Sequence, residues 1–300
     1  MISIAMTTYN GSKYITEQLE SIANQTINDY ELIICDDCSK DNTVEIIRQF
    51  QATDKRIKLF CNEQNLGFKE NFAKAVQLCS GDYIALCDQD DVWTDNHLEV
   101  LLNSIGDNLL CCGNNELVNQ ELETLNIDFF SSNHFSFKRY PKNIDVLKKI
   151  LLSGNCFQGA SMLFHKDILQ FYLPLPESIR YHDSWLSALA CSLDRFTVTE
   201  SIVTKYRQHE AQVTFHDKSD EGFYNSRIIF CNELLKRTCN TKSIYEYEII
   251  RIKNYFTNNL SFTGKLKELQ FWHKNYKYIH PDESKLKKLP RLGKFFITRD

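Results

Sequence analysis

The sequence predicts an α/β fold: a mostly parallel central sheet flanked by helices, followed by a C-terminal helical extension. Three observations predict it. Over the first 115 residues, short β-rich runs alternate with amphipathic stretches, the pattern of successive strand–helix units. The second and fourth runs are nearly continuous in apolar residues, as strands covered by helices on both faces must be. From about residue 221 the strand signals stop and helical periodicity takes over.

The elements follow in order. Residues 2–8 (ISIAMTT) read as a strand, and 12–25 as a helix with Ile15, Leu19 and Ile22 on one face. A second strand falls at 31–37 (ELIICDD), and a helix at 41–52 carries Val44, Ile47 and Phe50 on one side. Residues 57–61 form a third strand, 68–78 a third helix, 83–88 a fourth strand, 95–105 a fourth helix and 109–114 a fifth strand. Beyond 115 the pattern loosens: a helix at 144–152, a loop entering a strand at 154–164, a helix at 183–193 and a strand at 195–203. Long helices are expected over 221–239, 243–260 and 264–279. The polar run at 216–222 marks the expected boundary, with 1–215 as one domain and 216–300 as a helical region.

Composition narrows the function. A chain of 300 residues with 43% hydrophobic and 25% charged residues folds rather than staying disordered. A net charge of −4 argues against a dedicated nucleic-acid binder, which is usually basic. No apolar run reaches the ~18–20 residues needed to cross a bilayer, and residues 1–15 lack the pattern of an export signal. The expected location is therefore cytoplasmic, and the eleven cysteines are read as reduced thiols that fill the core. Cys35 and Cys38 form a C-x-x-C with no second Cys/His pair at ligand spacing, so packing is the preferred reading.

In an open α/β sheet, ligands bind beyond the carboxyl ends of the strands. Thr7, Thr8, Tyr9 and Asn10 end the first strand here. Asp36 and Asp37 end the second, Asn65 to Gly67 follow the third, and Asp88, Gln89, Asp90 and Asp91 end the fourth. Polar or acidic clusters following four successive strands on one edge exceed what turns require. Asp88 and Asp90, two apart in extended backbone, face the same side and call for a cation such as Mg2+ or Mn2+ bridging to phosphate oxygens. An acidic loop capping the next helix, with Asp95 at the N-cap, is the other reading, and both stay open on the motif alone. Asp36 and Asp37 suit neutral donors such as a ribose hydroxyl or a base N–H. Neither the G-x-G-x-x-G fingerprint nor a P-loop is present. Further along, Asp183 opens a helix in YHDSW and His209 closes YRQH; alone, each reads as a first-turn acid and an ordinary histidine.

Taken together, MTTYNG (6–11), CDDCSKDNT (35–43), NLGFKENF (65–72), SGDYIALCDQDDVW (80–93), YHDSW (181–185) and YRQH (206–209) resemble the family 2 glycosyltransferases of GT-A fold, over about residues 1–215. CDQDDVW with a later HDSW looks most like the bacterial rhamnosyltransferase branch. The resemblance implies that Thr8 and Tyr9 belong to the nucleotide-base pocket, that Asp36 contacts the base and that Asp37 lies beside it. Asp88 and Asp90 match the D-x-D motif that binds ribose and a divalent metal, with Asp91 at the same site. Asp183 matches the general base, and His209 a histidine near the metal or diphosphate. Residues 154–159 match a region facing the acceptor. One departure is Gln212, where the family often has Asn.

The implied activity is inverting, metal-dependent transfer of a sugar, such as rhamnose from dTDP-rhamnose, to a hydroxyl of a glycan or polyprenyl-linked acceptor in surface polysaccharide synthesis. A UDP-hexose-using transferase of the same family and a non-catalytic sugar-nucleotide-binding scaffold are the alternatives. A nucleotidyltransferase would need a glycine-rich basic loop where TTYNGSKY stands. The basic, apolar-interleaved stretch 285–299 reads equally as a peripheral contact with the inner membrane surface and as an ordinary basic tail. The aromatics Phe271, Trp272, Tyr276 and Tyr278 read first as a packing face, and oligomerisation through the C-terminal helices stays open.

Overall fold

The computed structural model describes residues 1–210, 223–239, 245–257, 271 and 274–279. The first half is a regular strand–helix alternation. Strands β1 (Ile2–Thr8), β2 (Tyr30–Asp36), β3 (Ile57–Cys61) and β4 (Tyr83–Cys87) are joined by helices α1 (Ile15–Ala23), α2 (Thr43–Thr53) and α3 (Phe68–Leu78). These four strands are mutually parallel, in the order β3-β2-β1-β4.

The second half is less regular. It runs through β5 (Val92–Trp93), α4 (His97–Ile105), β6 (Leu110–Val118), β7 (Thr124–Asp128), α5 (Phe129–Ser132) and α6 (Asn143–Ser153). Then come β8 (Met162–His165), α7 (Leu169–Tyr172), α8 (His182–Ser192) and the twelve-residue β9 (Phe196–Arg207). The sheet continues β4-β8-β6-β9-β5, with β7 also on β6. β8 is antiparallel to both its neighbours, β6 and β9 are parallel, and β5 and β7 are antiparallel to their partners. The sheet is thus mostly parallel, as expected.

Alternation along the strands sends side chains to two apolar layers. Ile4, Met6, Leu32, Ile34 and Ala85 meet Ile15, Leu19 and Ile22 of α1, Ile47 of α2 and Leu98 and Leu101 of α4. Ala5, Ile33, Cys35, Ile84 and Leu86 meet Phe72 and Val76 of α3, Leu147 and Ile150 of α6, and Trp185 and Leu189 of α8. Helices α9 (Phe223–Thr238) and α10 (Glu246–Thr257) add Phe230, Leu234, Ile249 and Ile252 to this second layer. Phe271 also joins it, as does Tyr278 of the short α11 (Tyr276–Ile279). Tyr278 and Phe271 therefore serve packing; Trp272 and the stretch 285–299 lie outside the described residues, as do Gln212 and the expected boundary near 215.

Several expectations shift. The helix expected from residue 12 starts at Ile15, because Gly11 carbonyl first accepts from the N–H groups of Tyr14 and Ile15 in a turn. The strands expected to end at 114 and 203 run on to Val118 and Arg207, because they pair with each other along that length. α4 begins after Asn96, not Asp95, and Asn96 makes no side-chain capping bond, so the alternative reading with Asp95 at the N-cap is not found. β5 and β7 were not expected: one has two residues, and the other lies mostly exposed with no buried face to impose a period. All eleven cysteines are free thiols. Cys35 points into the core, where burial pushes its thiol up to about 11, and Cys38 Sγ donates to the Asn62 carbonyl at 3.0 Å.

Candidate active site

A cleft of about 780 Å³ opens at the carboxyl ends of β1, β2 and β4. The turn after β1 forms one wall. The Gln89 amide brackets the Tyr9 backbone, accepting from its N–H at 2.9 Å and donating to its carbonyl at 3.0 Å. Gly11 permits this, since a Cβ there would overlap the Gln89 side chain. Tyr9 itself is 49% exposed at the cleft mouth. Asp41 and Thr43 staple this turn to the next one: Asp41 accepts from Ser12 N–H at 3.0 Å, and Thr43 Oγ1 accepts from Gly11 N–H at 2.8 Å.

The two aspartates after β2 have different jobs. Asp36 is buried and accepts from the hydroxyls of Thr8 at 2.8 Å and Ser39 at 2.5 Å. It does not line the cleft; it fixes Thr8, which does. Asp37 lines the cleft and accepts from Asn62 Nδ2 at 2.7 Å and from the N–H groups of Leu66 at 2.7 Å and Gly67 at 2.8 Å. Gly67 holds φ at +80°, a left-handed conformation that glycine adopts without strain. Asp37 thereby folds the Asn65–Gly67 turn against the cleft.

The acidic run after β4 divides similarly. Asp88 and Asp90 line the cleft, together with Asp183 from the first turn of α8. Asp91 has no exposed surface and lies beneath them, accepting from Gln158 Nε2 at 2.9 Å and Arg207 N–H at 3.1 Å. It shapes the floor and does not face the cleft. Burial, reinforced by the charges of Asp90 and Asp183, pushes the Asp88 carboxyl up to about 8. Burial likewise raises Asp183 to about 6, against hydrogen bonds that favour its ionised form, including one from Ser184 N–H at 2.5 Å. Packed acids of one sign raise each other in this way.

β9 anchors the acidic turn from below. Arg207 is 1% exposed, donates from Nε to the Asp90 carbonyl at 2.8 Å, and also bonds the Gln120 carbonyl and the Glu17 carboxylate. Its guanidinium lies 4.6 Å from the centroid of the Tyr14 ring. Two residues later, His209 Nε2 meets Asp90 Oδ2 at 2.9 Å, and the imidazole lies 5.0 Å from the same Tyr14 ring.

The set fits a hard divalent ion in part. Asp90 and His209 bring a carboxylate and an imidazole to the cleft, now bonded to each other at 2.9 Å, a bond they would exchange for the ion. Among the described residues no cluster of three or more potential ligands is assembled. The remaining positions would therefore fall to substrate oxygens and water, the usual arrangement for Mg2+ at phosphate sites.

Thr8, Tyr9, Asp37, Asp88, Asp90, Asp183 and His209, singled out from the sequence, all line this one cleft, whereas Asp36 and Asp91 stand behind it. Gln89 and residues 158 and 159 of the stretch 154–159 also line it, as do Phe68, Phe72 and His182, to which the sequence assigned no role. Phe68, Phe72 and His182 sit inside the quoted motifs NLGFKENF and YHDSW, and that placement was the available signal.

A family model described as Glycosyl transferase family 2 matches residues 3–171, more than half of the chain. The chain belongs to this glycosyltransferase family. Its fold is GT-A, with the C-terminal helices added. The glycosyltransferase is 28% identical over 218 residues to the UDP-Glc:alpha-D-GlcNAc-diphosphoundecaprenol beta-1,3-glucosyltransferase WfgD of Escherichia coli, covering 71% of this chain and 79% of the relative. It is 30% identical over 220 residues to an uncharacterized glycosyltransferase of Methanocaldococcus jannaschii, covering 69% of this chain and 70% of that one. The fold is similar to that of S. aureus TarS 1–349 in complex with UDP-GlcNAc, with a TM-score of 0.64, 18% identity and coverage of 93% of this chain and 81% of that one. The family match ends at residue 171, so Asp183, Arg207 and His209 lie beyond it.

Proposed function

We propose that this glycosyltransferase transfers a sugar with inversion, from a nucleoside diphosphate donor held with a divalent metal to a hydroxyl of a glycan or polyprenyl-linked saccharide. The observation that carries this reading is the presence of Asp183 in one cleft with Asp88 and Asp90. A scaffold that only held a nucleotide sugar would have no use for a third buried acid whose basicity is raised.

Thr8, Tyr9 and Asp37 take the base and ribose side, with Asp36 and Asp91 acting from behind the wall. Asp88 meets the ribose and the metal side. Asp90 and His209 would hold Mg2+ or Mn2+, which when bound supplies positive charge for the departing diphosphate. Asp183 accepts the proton of the acceptor hydroxyl as its oxygen forms a bond to the anomeric carbon. The bond from that carbon to the diphosphate oxygen breaks on the opposite face, and the configuration inverts. Arg207 holds the Asp90 backbone from below.

The named donors of WfgD and of the TarS complex support a UDP-hexose ahead of dTDP-rhamnose. The diphosphoundecaprenol in the WfgD name supports a polyprenyl-linked acceptor. Among the described residues no helix is long and apolar enough to cross a membrane. Such an acceptor is reached from the membrane surface, and 285–299 is the proposed peripheral contact.

The test is a thermal-shift panel of UDP-glucose, UDP-GlcNAc, dTDP-rhamnose and GDP-mannose, with Mn2+ or with EDTA, on the wild type and on Asp90→Ala. A ligand at 100 times its Kd adds about 2.7 kcal/mol. A shift that needs metal and disappears in Asp90→Ala is the expected result. No shift with any nucleotide sugar in the presence of metal sinks the proposal.

A further inference from the structure

His182 immediately precedes Asp183 and lines the same cleft. It is 8% exposed, and neither ring nitrogen has a hydrogen-bond partner among the described residues. Leaving a buried polar group unpaired costs about 1–3 kcal/mol. An apolar ring would fill this place at lower cost, so the imidazole has no packing rationale.

Its surroundings indicate what would pair with it. The ring centroid lies 4.3 Å from that of Phe72 and 6.3 Å from that of Phe68, two cleft residues of α3. On another side, a Cβ placed on Gly159 would come within 3.2 Å of His182 Nε2. Gly159, a cleft residue, packs directly against that nitrogen, and only its lack of a side chain lets the ring sit this close to the cleft wall. Burial pulls His182 down to about 4, so at neutral pH the ring is uncharged, with one donor and one acceptor nitrogen. An uncharged ring beside Asp183 is a poor partner for phosphate. Next to aromatic faces it suits a hydroxyl on a sugar ring, whose C–H face packs on aromatics while its O–H both donates and accepts.

Resting on the glycosyltransferase reading, we propose that His182 is a sugar-recognition residue, its ring nitrogen pairing with a hydroxyl of one of the two sugars that meet at Asp183. The hydroxyl belongs to the donor hexose or to the acceptor, and the test separates them.

The variants are His182→Phe, which keeps the ring and its contact with Phe72 but removes both nitrogens, and His182→Gln, which keeps a donor and an acceptor. Calorimetry with Mn2+ compares the nucleotide sugar giving the largest shift in the panel above with its sugar-free diphosphate. His182→Phe is expected to unfold at or above the wild-type temperature and to bind the sugar-free diphosphate as the wild type does. If the hydroxyl is the donor's, affinity for the nucleotide sugar falls roughly ten-fold or more, and His182→Gln recovers part of it. If it is the acceptor's, nucleotide-sugar affinity holds, and the KM for GlcNAc-diphosphoundecaprenol rises by a similar factor. Unchanged values in all three measurements overturn the proposal. So does an equal loss for nucleotide sugar and diphosphate, which marks a structural role. A wild type that binds no member of the panel removes the glycosyltransferase reading itself; a wild type that binds, with an indifferent His182→Phe, removes only this inference.

Discussion

Asp183 offers the sharpest test, because activity and stability should move in opposite directions there. A general base works only when ionised. With its carboxyl raised to about 6, kcat/KM should rise through pH 6 and level above pH 7. At pH 5 about one molecule in eleven carries the ionised form, so the rate should stand near one-tenth of its plateau. Asp183→Asn keeps the shape and still accepts from Ser184 N–H, but it cannot take the proton. The loss expected for a positioned base is about 10²–10⁴ in rate, or about 2.7–5.5 kcal/mol. Stability behaves differently. A carboxyl raised from 3.8 to about 6 on folding is fully tolerated below pH 3.8, and its contribution is lost as pH rises through 6. At pH 7 that penalty is at most about 3 kcal/mol, and Asp183→Asn should recover part of it in urea unfolding. The assay is diphosphate release in the presence of acceptor, from pH 5 to 8. A flat profile down to pH 5, or a variant that keeps more than a tenth of the rate, would refute the assignment.

Two further predictions concern charges that hold the architecture. Arg207→Gln should lose about 3–5 kcal/mol in urea unfolding, the cost of breaking a buried charged network, and Mn2+ affinity should fall with it. A loss under 1 kcal/mol would show that Arg207 does not hold the acidic floor. At the opposite edge of the sheet, Glu31 accepts from Ser3 Oγ at 2.6 Å, Ser80 N–H and Oγ at 2.7 Å each, and Lys58 Nζ at 2.7 Å. Burial alone would raise its carboxyl, but these donors hold it down to about 2. Its stabilisation is present above about pH 4.5 and is lost as pH falls towards 2. Discounted for the exposed Lys58, it amounts to about 2 kcal/mol. Glu31→Gln should therefore be less stable at pH 7 and converge with the wild type in acid; a gap that ignores pH would contradict this.

Much of the cleft could be read from residue types at strand ends, because topology places those ends on one edge. The Asp88–Asp90 pair and the late Asp183 and His209 were visible as spacing within motifs. The partner of each carboxylate was not visible. Asp36 and Asp91 look like ligands in the sequence, yet in the fold each turns to buried donors, on Thr8 and Ser39 or on Gln158 and Arg207. Such pairings join residues up to 116 positions apart, and no local period records them. β7 escaped for a related reason: a mostly exposed strand has no buried face to enforce alternation. The strands at 2–8 and 57–61 and the helix at 68–78 fell where expected.

Arg207 reaches Asp90 across 117 residues of chain, and this has a consequence for the order of events at synthesis. The acid-rich turn after β4 leaves the ribosome long before the strand that balances it. Until β9 lies down between β6 and β5, the Asp90 loop has no anchor and Asp91 lacks one of its two donors. Long-range pairing of this kind forms late in folding. The cleft is therefore not completed by its own first half; it waits for a strand that also follows Asp183 in α8. A nascent or truncated chain ending before residue 207 carries the acidic turn but not the strand that anchors it.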